Sequence, residues 1–219
     1  MVYITHSGEN VDKINNIVSI AQKRFGLFGL EKTTMKEIAS DLCISKAALY
    51  YYFPDKEHLF KAVVEVEQES FFQLAENIMQ TTNDPSVMLK EFVKIRLEHF
   101  KKFFNLSRLS YDEFKSVRTM LSETFSSFCQ RETEVIKLVL DKGIESGLFK
   151  IQKKDSNEVA SLFFEMLRGM RTLALHNKDL LYVEQEEFDK LKKKLNAITD
   201  IFIRGLMYNP ESLQINYDS

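Results

Sequence analysis

Apolar positions repeat at helical spacing from the first segment of the chain to the last. Val11, Ile14, Val18, Ala21 and Phe25 are separated by three, four, three and four residues, which places five apolar side chains on one helical face. Gly26 and Gly29 supply a stop. Met35, Ile38, Ala39 and Leu42 give a second, shorter helix its apolar face. Thr34 and Glu37 precede it at the spacing in which hydroxyl and carboxylate each satisfy a free amide. Cys43-Ile44 reads as a turn, and Ser45 caps a third helix that includes Lys46-Ala47-Ala48-Leu49-Tyr50-Tyr51-Tyr52. Leu49 and Phe53, four apart, face inward and anchor it. Pro54 disfavours continuation, because proline has no amide donor and restricts the residue before it. Asp55 then caps a longer fourth helix through Leu59, Phe60, Val63 and Val64 towards Met79.

Thr81-Thr82-Asn83-Asp84-Pro85 is the clearest break in the middle of the chain. Beyond it the pattern stays helical, with segments at roughly 86–104, 109–118, 119–146, 156–177 and 184–207. Gly147 ends the third of these, and a polar loop with Lys153, Lys154 and Asp155 follows. Composition agrees with the pattern. The 219 residues include 7 Gly and 3 Pro, where average usage gives about 15 and about 11. Residues that punctuate turns are scarce, while 44% apolar content is enough for a sizeable core. An all-β sandwich and a Gly-dependent nucleotide fold are excluded. The expected class is all-α: a helix-turn-helix domain of three helices at 1–60 and a helical bundle at 61–219.

Two short helices joined by a tight turn and packed on a preceding helix point to DNA recognition. The second of the pair must enter the major groove, so it needs small residues at its N-terminal end and hydrogen-bonding groups nearby. Ser45, Lys46, Ala47 and Ala48 meet that need, and Tyr50, Tyr51 and Tyr52 carry phenols that reach phosphates or thymine methyls. Lys56, opening the next helix, stands where an ammonium group and free amides hold a phosphate.

Thr33-Thr34-Met35-Lys36-Glu37-Ile38-Ala39, followed by Ile44-Ser45-Lys46-Ala47-Ala48-Leu49-Tyr50-Tyr51-Tyr52-Phe53-Pro54-Asp55-Lys56 and Leu59, closely resembles the DNA-binding domain of the TetR family of transcriptional regulators. The resemblance covers about residues 11–60. It implies contacts from Thr34 and Lys36 to backbone or groove edge, from Lys46, Ala47 and Ala48 to bases, from the three tyrosines to phosphates and bases, and from Lys56 to a phosphate. One position departs from the family pattern: Cys43 stands where glycine is usual, and a non-glycine residue there must tolerate or avoid positive φ. Its thiol is expected to be buried and inert.

Charge adds little. The chain carries 30 basic and 32 acidic residues, and residues 1–60 hold seven of each. Binding would then depend on the placement of a few cations and amides, with modest phosphate neutralisation per subunit. A single recognition helix reads only a few base pairs, so a two-fold dimer is expected. Val159, Phe163, Met166 and Met170 line one face of the penultimate helix, and Leu191, Leu195, Ile198 and Phe202 one face of the last. The resemblance places the dimer contact there, as a four-helix interface. It also implies an inducer site among the aromatic residues of the second half. Arg96, Phe100, Phe103, Phe104, Phe125, Phe128 and Phe163 are the candidates, suited to a small apolar or amphipathic effector.

No clustered histidines or cysteines, phosphate loop, nucleophile elbow or paired catalytic carboxylates appear, so neither a metal, a cofactor nor an enzyme activity is expected. Cys43 and Cys129 in no framework spacing, with no leader and no long apolar run, point to a reduced, cytoplasmic protein away from the membrane. The expected function is a ligand-responsive transcriptional regulator, acting as a repressor on a palindromic double-stranded operator as a homodimer. The alternatives are a DNA-binding factor with no small-molecule ligand and a non-enzymatic protein-interaction scaffold.

Overall fold

A computed structural model describes the backbone over residues 8–107, 117, 119–175 and 185–207, and side chains over 10–102, 117, 119–173 and 185–207. Among the described residues there are eight α-helices and no strand. They are α1 (Gly8–Phe28), α2 (Met35–Asp41), α3 (Lys46–Tyr52), α4 (Lys56–Thr81), α5 (Pro85–Ser107), α6 (Ser122–Glu145), α7 (Ser156–Leu175) and α8 (Gln185–Met207), with a single 3-10 turn, Lys153–Asp155, before α7. No described helix is long and apolar enough to cross a membrane.

The stops follow the turn chemistry. α1 runs through Gly26 and ends at Gly29, which takes φ 82° while its amide donates to Phe25 O at 2.8 Å. Gly26 stays helical because a glycine inside a helix weakens it without ending it. α4 stops before Pro85, and the Asp84 carboxylate accepts from Ser86 N at 2.8 Å to start α5. The segment expected at 109–118 lies largely outside the described residues.

The chain separates into two compact units. The first holds α1 to α3, α4 as far as Ser70, and the end of α5 from Phe100. Its centre is the edge-to-face pair of Phe25 and Phe60, ring centroids 5.3 Å apart, surrounded by fully buried Ala21, Ile38, Leu49, Leu59, Val63 and Val64. Burying each large side chain of this kind contributes roughly 1.5–3 kcal/mol. Glu67 is buried too, and it accepts a hydrogen bond from Gln22 of α1 while pairing with Lys102 of α5 at 2.8 Å. One carboxylate thus joins three helices.

The second unit holds α4 and α5 from Phe71 to His99, with α6, α7 and α8. Phe71 meets Phe72, Phe92, His99 and Phe128 at centroid distances of 5.1–5.7 Å. Phe163 of α7 stacks on Phe202 of α8 at 4.2 Å. Past α6, Gly147 turns the chain with φ 72°, and Phe149 folds back so that its amide donates to Gly143 O at 2.9 Å. Its ring then covers Gly143 so closely that a Cβ there would lie 2.0 Å from Phe149 Cδ2. Gly143→Ala is expected to destabilise by about 1–3 kcal/mol, the usual cost of overpacking. In urea denaturation, Gly143→Ala combined with Phe149→Ala should cost clearly less than the sum of the two single changes; additive costs would show that the ring and the glycine do not compete for one space.

Candidate nucleic-acid interface

α2 and α3 are seven residues each, too short to persist in water without caps and packing. At the start of α2 the Thr34 hydroxyl accepts from Glu37 N at 3.3 Å, and the Glu37 carboxylate accepts from Thr34 N at 2.9 Å and from its hydroxyl at 2.8 Å. This is the reciprocal cap expected from the Thr34–Glu37 spacing. α3 begins at Ser45, whose Oγ accepts from Ala48 N at 3.1 Å.

Between them the backbone closes in the left-handed region. Cys43 takes φ 55°, the single non-glycine positive φ among the described residues, and Ile44 N reaches back to Ala39 O at 3.0 Å. The conformation that glycine adopts freely is thus kept with a side chain present, at a cost of about 1–2 kcal/mol. Cys43 is exposed, not buried as expected. The corner residue lies past the apolar register of Met35, Ile38 and Ala39, so its side chain is not drawn into the core.

Two polar ties hold the pair in place. Arg24 of α1 bridges Glu37 at 3.1 Å and Asp41 at 2.6 Å, one turn apart on α2. Lys56 at the start of α4 donates to the carbonyls of Leu30 at 2.8 Å and Glu31 at 3.2 Å, in the loop from α1 to α2. Expected at a phosphate, the Lys56 ammonium therefore spends two of its three donors on the protein. Neither tie was visible as a motif, since both join residues from different helices.

α3 divides cleanly by face. Leu49 and the following Phe53 are buried. Ser45, Lys46, Ala47 and Tyr50 are exposed, Tyr51 is 76% exposed, and Ala48 and Tyr52 are half-buried. The Lys46 ammonium lies 5.3 Å from the centre of the Tyr50 ring, and Tyr51 meets Tyr52 edge to face at 5.2 Å. Thr34 and Lys36 are exposed on α2 and at its cap. Acidic groups nearby are engaged: Glu37 and Asp41 with Arg24, and Asp55 with His58 at 2.7 Å. The zero sum over residues 1–60 therefore hides a local surplus, with Lys36 and Lys46 exposed beside capped helix starts.

Residues 17–63, which span this whole arrangement, match the bacterial regulatory proteins of the tetR family. The crystal structure of a transcriptional regulator from Cytophaga hutchinsonii is 35% identical and superposes with a TM-score of 0.81, covering 90% of this chain and 99% of that one. The chain belongs to the TetR family of transcriptional regulators. It is also similar to two curated regulators of the helix-turn-helix type. YxaF of Bacillus subtilis is 24% identical over 83% of this chain and 95% of its own length. QacR of Staphylococcus aureus is 22% identical over 88% and 97%. The protein is thus a DNA-binding transcriptional regulator, and α2 and α3 form its TetR-type helix-turn-helix.

In the second unit of this TetR-family chain, the expected effector residues disperse. Arg96 is 6% exposed, and its Nε donates to Glu132 Oε1 at 2.5 Å, with Glu132 only 2% exposed. The Arg96 guanidinium also lies 5.3 Å from the centre of the Phe164 ring. Phe128 is half-buried in the aromatic cluster of Phe71, Phe72 and His99. Phe125 is half-buried on α6, Phe100 is buried in the first unit, and the side chains of Phe103 and Phe104 lie outside the described residues. Glu132 was missed. It follows Phe128 and precedes Ile136 and Leu140 at steps of four, so a carboxylate in an apolar register was the available signal.

Three residues expected on the self-association face are covered within the protomer instead: Phe163, Leu191 and Leu195 are 0, 3 and 3% exposed. An apolar register marks a face that avoids water without saying what covers it. Val159, Met166, Met170, Ile198 and Phe202 are half-buried.

The cap makes α2 acid-sensitive. Hydrogen bonds from the Thr34 hydroxyl and amide, aided by Arg24, hold the Glu37 carboxyl below the usual carboxylate range. A depressed folded pKa gives stability that is complete above the unfolded value of about 4.3 and is lost as pH falls through the folded one. Thermal unfolding between pH 5 and 3 should therefore fall more steeply for the wild type than for Glu37→Gln; parallel slopes would remove Glu37 from the cap's energetics.

Proposed function

We propose that this TetR-family regulator acts as a repressor, binding a palindromic operator as a homodimer and responding to a small amphipathic effector. Residues 1–60 form the DNA-binding domain in this reading, and 61–219 the effector-sensing and dimerisation domain. The observation that carries it is the outer face of α3. Ser45, Lys46, Ala47, Tyr50 and Tyr51 are exposed over buried Leu49 and Phe53, with small residues at the end that approaches bases. Thr34, Lys36, Ala48 and Tyr52 complete the contact surface. Lys56 acts chiefly by fixing the loop before α2, with one donor left for a phosphate.

Self-association is supported by apolar side chains left in water on α7 and α8. Leu173 is 75% and Ile201 69% exposed, with Leu162 also exposed and Met166, Met170, Ile198 and Phe202 half-covered beside them. Two such helices from each subunit make a four-helix seam, and the contact belongs to these side chains and Val159 instead of Phe163, Leu191 and Leu195. An effector shifts operator affinity only if it binds the two arrangements of the dimer differently.

Fluorescence anisotropy against the upstream intergenic DNA of its own gene, at several salt concentrations, tests this. Two subunits per site and clear preference over scrambled DNA are expected. Lys46→Ala, which removes one cation from each of the two subunits, should lower the salt slope by about two, while Lys56→Gln, which keeps a donor for the carbonyls, should change it by much less. Tyr50→Ala should weaken specific binding by about tenfold with the fold intact. Equal affinity for scrambled DNA from every protein tested would contradict the reading.

A further inference from the structure

α3 consists of Lys46-Ala47-Ala48-Leu49-Tyr50-Tyr51-Tyr52, a narrow chemistry for a helix placed against DNA. At about 100° per residue, exposed Lys46, Tyr50, Ala47 and Tyr51 fall in that order across roughly 140° of its circumference. Tyr50 and Ala47 lie mid-face, with Lys46 on one flank and Tyr51 on the other. Half-buried Ala48 and Tyr52 border the Tyr51 flank.

Each base edge in the major groove calls for a different side chain. Adenine presents an acceptor beside a donor, matched by the planar amide of Asn or Gln, and cytosine presents a donor, matched by a carboxylate. α3 carries neither an amide side chain nor a carboxylate. Guanine presents two acceptors, N7 and O6, which suit an ammonium group, and thymine presents a methyl group, which suits Ala or an aromatic ring. Both of these partners are on the exposed face. The hydroxyls of Ser45 and the tyrosines donate or accept singly, so they bond base edges without choosing among them.

The discriminating groups are also held in place. The Lys46 ammonium lies 5.3 Å from the centre of the Tyr50 ring one turn on, and Lys46 has no ion pair among the described residues. The ring keeps a flexible charge on the outer face of the helix. Tyr51 is 76% exposed, yet Tyr52 braces it edge to face at 5.2 Å. Its ring thus offers a fixed apolar surface in line with the Ala47 methyl group, four residues earlier.

We propose that each operator half-site is recognised through a guanine, at Lys46, and thymine methyl groups, at Ala47 and Tyr51, with no adenine or cytosine edge read by α3. The proposal rests on the reading of α3 as the helix that enters the major groove. Lys46 and Ala47 are consecutive, about 3.8 Å apart along the backbone, close to the roughly 3.4 Å between stacked base pairs, so the guanine and a thymine occupy neighbouring pairs. Tyr50 is the positioning residue for Lys46.

Sites selected from a random pool should carry a guanine next to thymine in each half. These sites are resynthesised with altered bases in both halves and titrated against full-length protein by fluorescence anisotropy at fixed salt. 7-Deazaguanine, which lacks the N7 acceptor, should weaken binding at least about tenfold. Uracil in place of a contacted thymine should cost about fourfold for each methyl group removed. 7-Deazaadenine should cost less than about twofold. For Lys46→Ala the deazaguanine effect should shrink below about twofold; Tyr50→Ala should blunt it, while Tyr50→Phe, with the ring intact, retains it. Salt dependence does not make this distinction, because an ammonium group in the groove displaces counterions whether it ends on a phosphate or on a base. Deazaguanine or uracil sites that bind as well as the unmodified ones, an adenine dependence as strong as the guanine one, or a Lys46→Ala protein with the full deazaguanine effect overturns the proposal and leaves a DNA-reading dimer standing. The modified DNAs decide this on the unaltered protein, whether or not a variant folds. A pool that yields no enriched site removes the operator reading itself, and the proposal with it.

Discussion

A helix of seven residues does not hold its shape in water, and α3, the second helix of the helix-turn-helix and the one proposed to read DNA, has only seven. Its conformation therefore has to be imposed from outside. Leu49 and Phe53 fasten its inner face to the core around Phe25 and Phe60, Ser45 closes its first turn, and the left-handed Cys43 sets where it begins. Arg24 and Lys56 then fix α2 and the preceding loop against α1 and α4. With Leu49 and Phe53 restraining the inner side, the outer side is free to carry small and hydrogen-bonding residues, of which Ser45 also caps the helix. A rigid frame with an uncommitted surface is what sequence recognition requires, because contacts to bases reward only side chains already in place.

The second unit is organised by a different constraint. Burying Arg96 with Glu132 gains little stability over an apolar pair of the same volume, and losing either partner leaves a charge uncompensated. Such a pair ties α5 to α6 at one defined register. Its setting, with the Arg96 guanidinium over the Phe164 ring, places one satisfied polar pair inside the otherwise apolar packing of the second unit.

Much of the helix-turn-helix was legible because local spacing specifies it. Thr34–Glu37, Ser45 and Pro54 are signals within a few residues of the boundaries they set, and the structure places caps and stops at each. What local spacing cannot report is the partner across a gap in sequence. Arg24 with Asp41 and Lys56 with Leu30 are joined only by folding, so Lys56 read as a phosphate ligand when most of its donors serve the loop. The same blindness affected α7 and α8. Phe163, Leu191 and Leu195 fit an apolar register equally well whether a second subunit or their own core covers them, and the core covers them. Charges inside an apolar register, such as Arg96 between Phe92 and Phe100, were the exception: legible in principle and pointing to the second unit's chemistry.

Selection of bound sequences from a random DNA pool with the full-length protein, followed by hydroxyl-radical footprinting of the winners, tests the central claim most directly. A TetR-type dimer reading DNA through α3 predicts an enriched inverted repeat, with protection on one face of the duplex and half-sites about one helical turn, or a multiple of it, apart. No enriched motif, or protection of a single uninterrupted half-site, would contradict it.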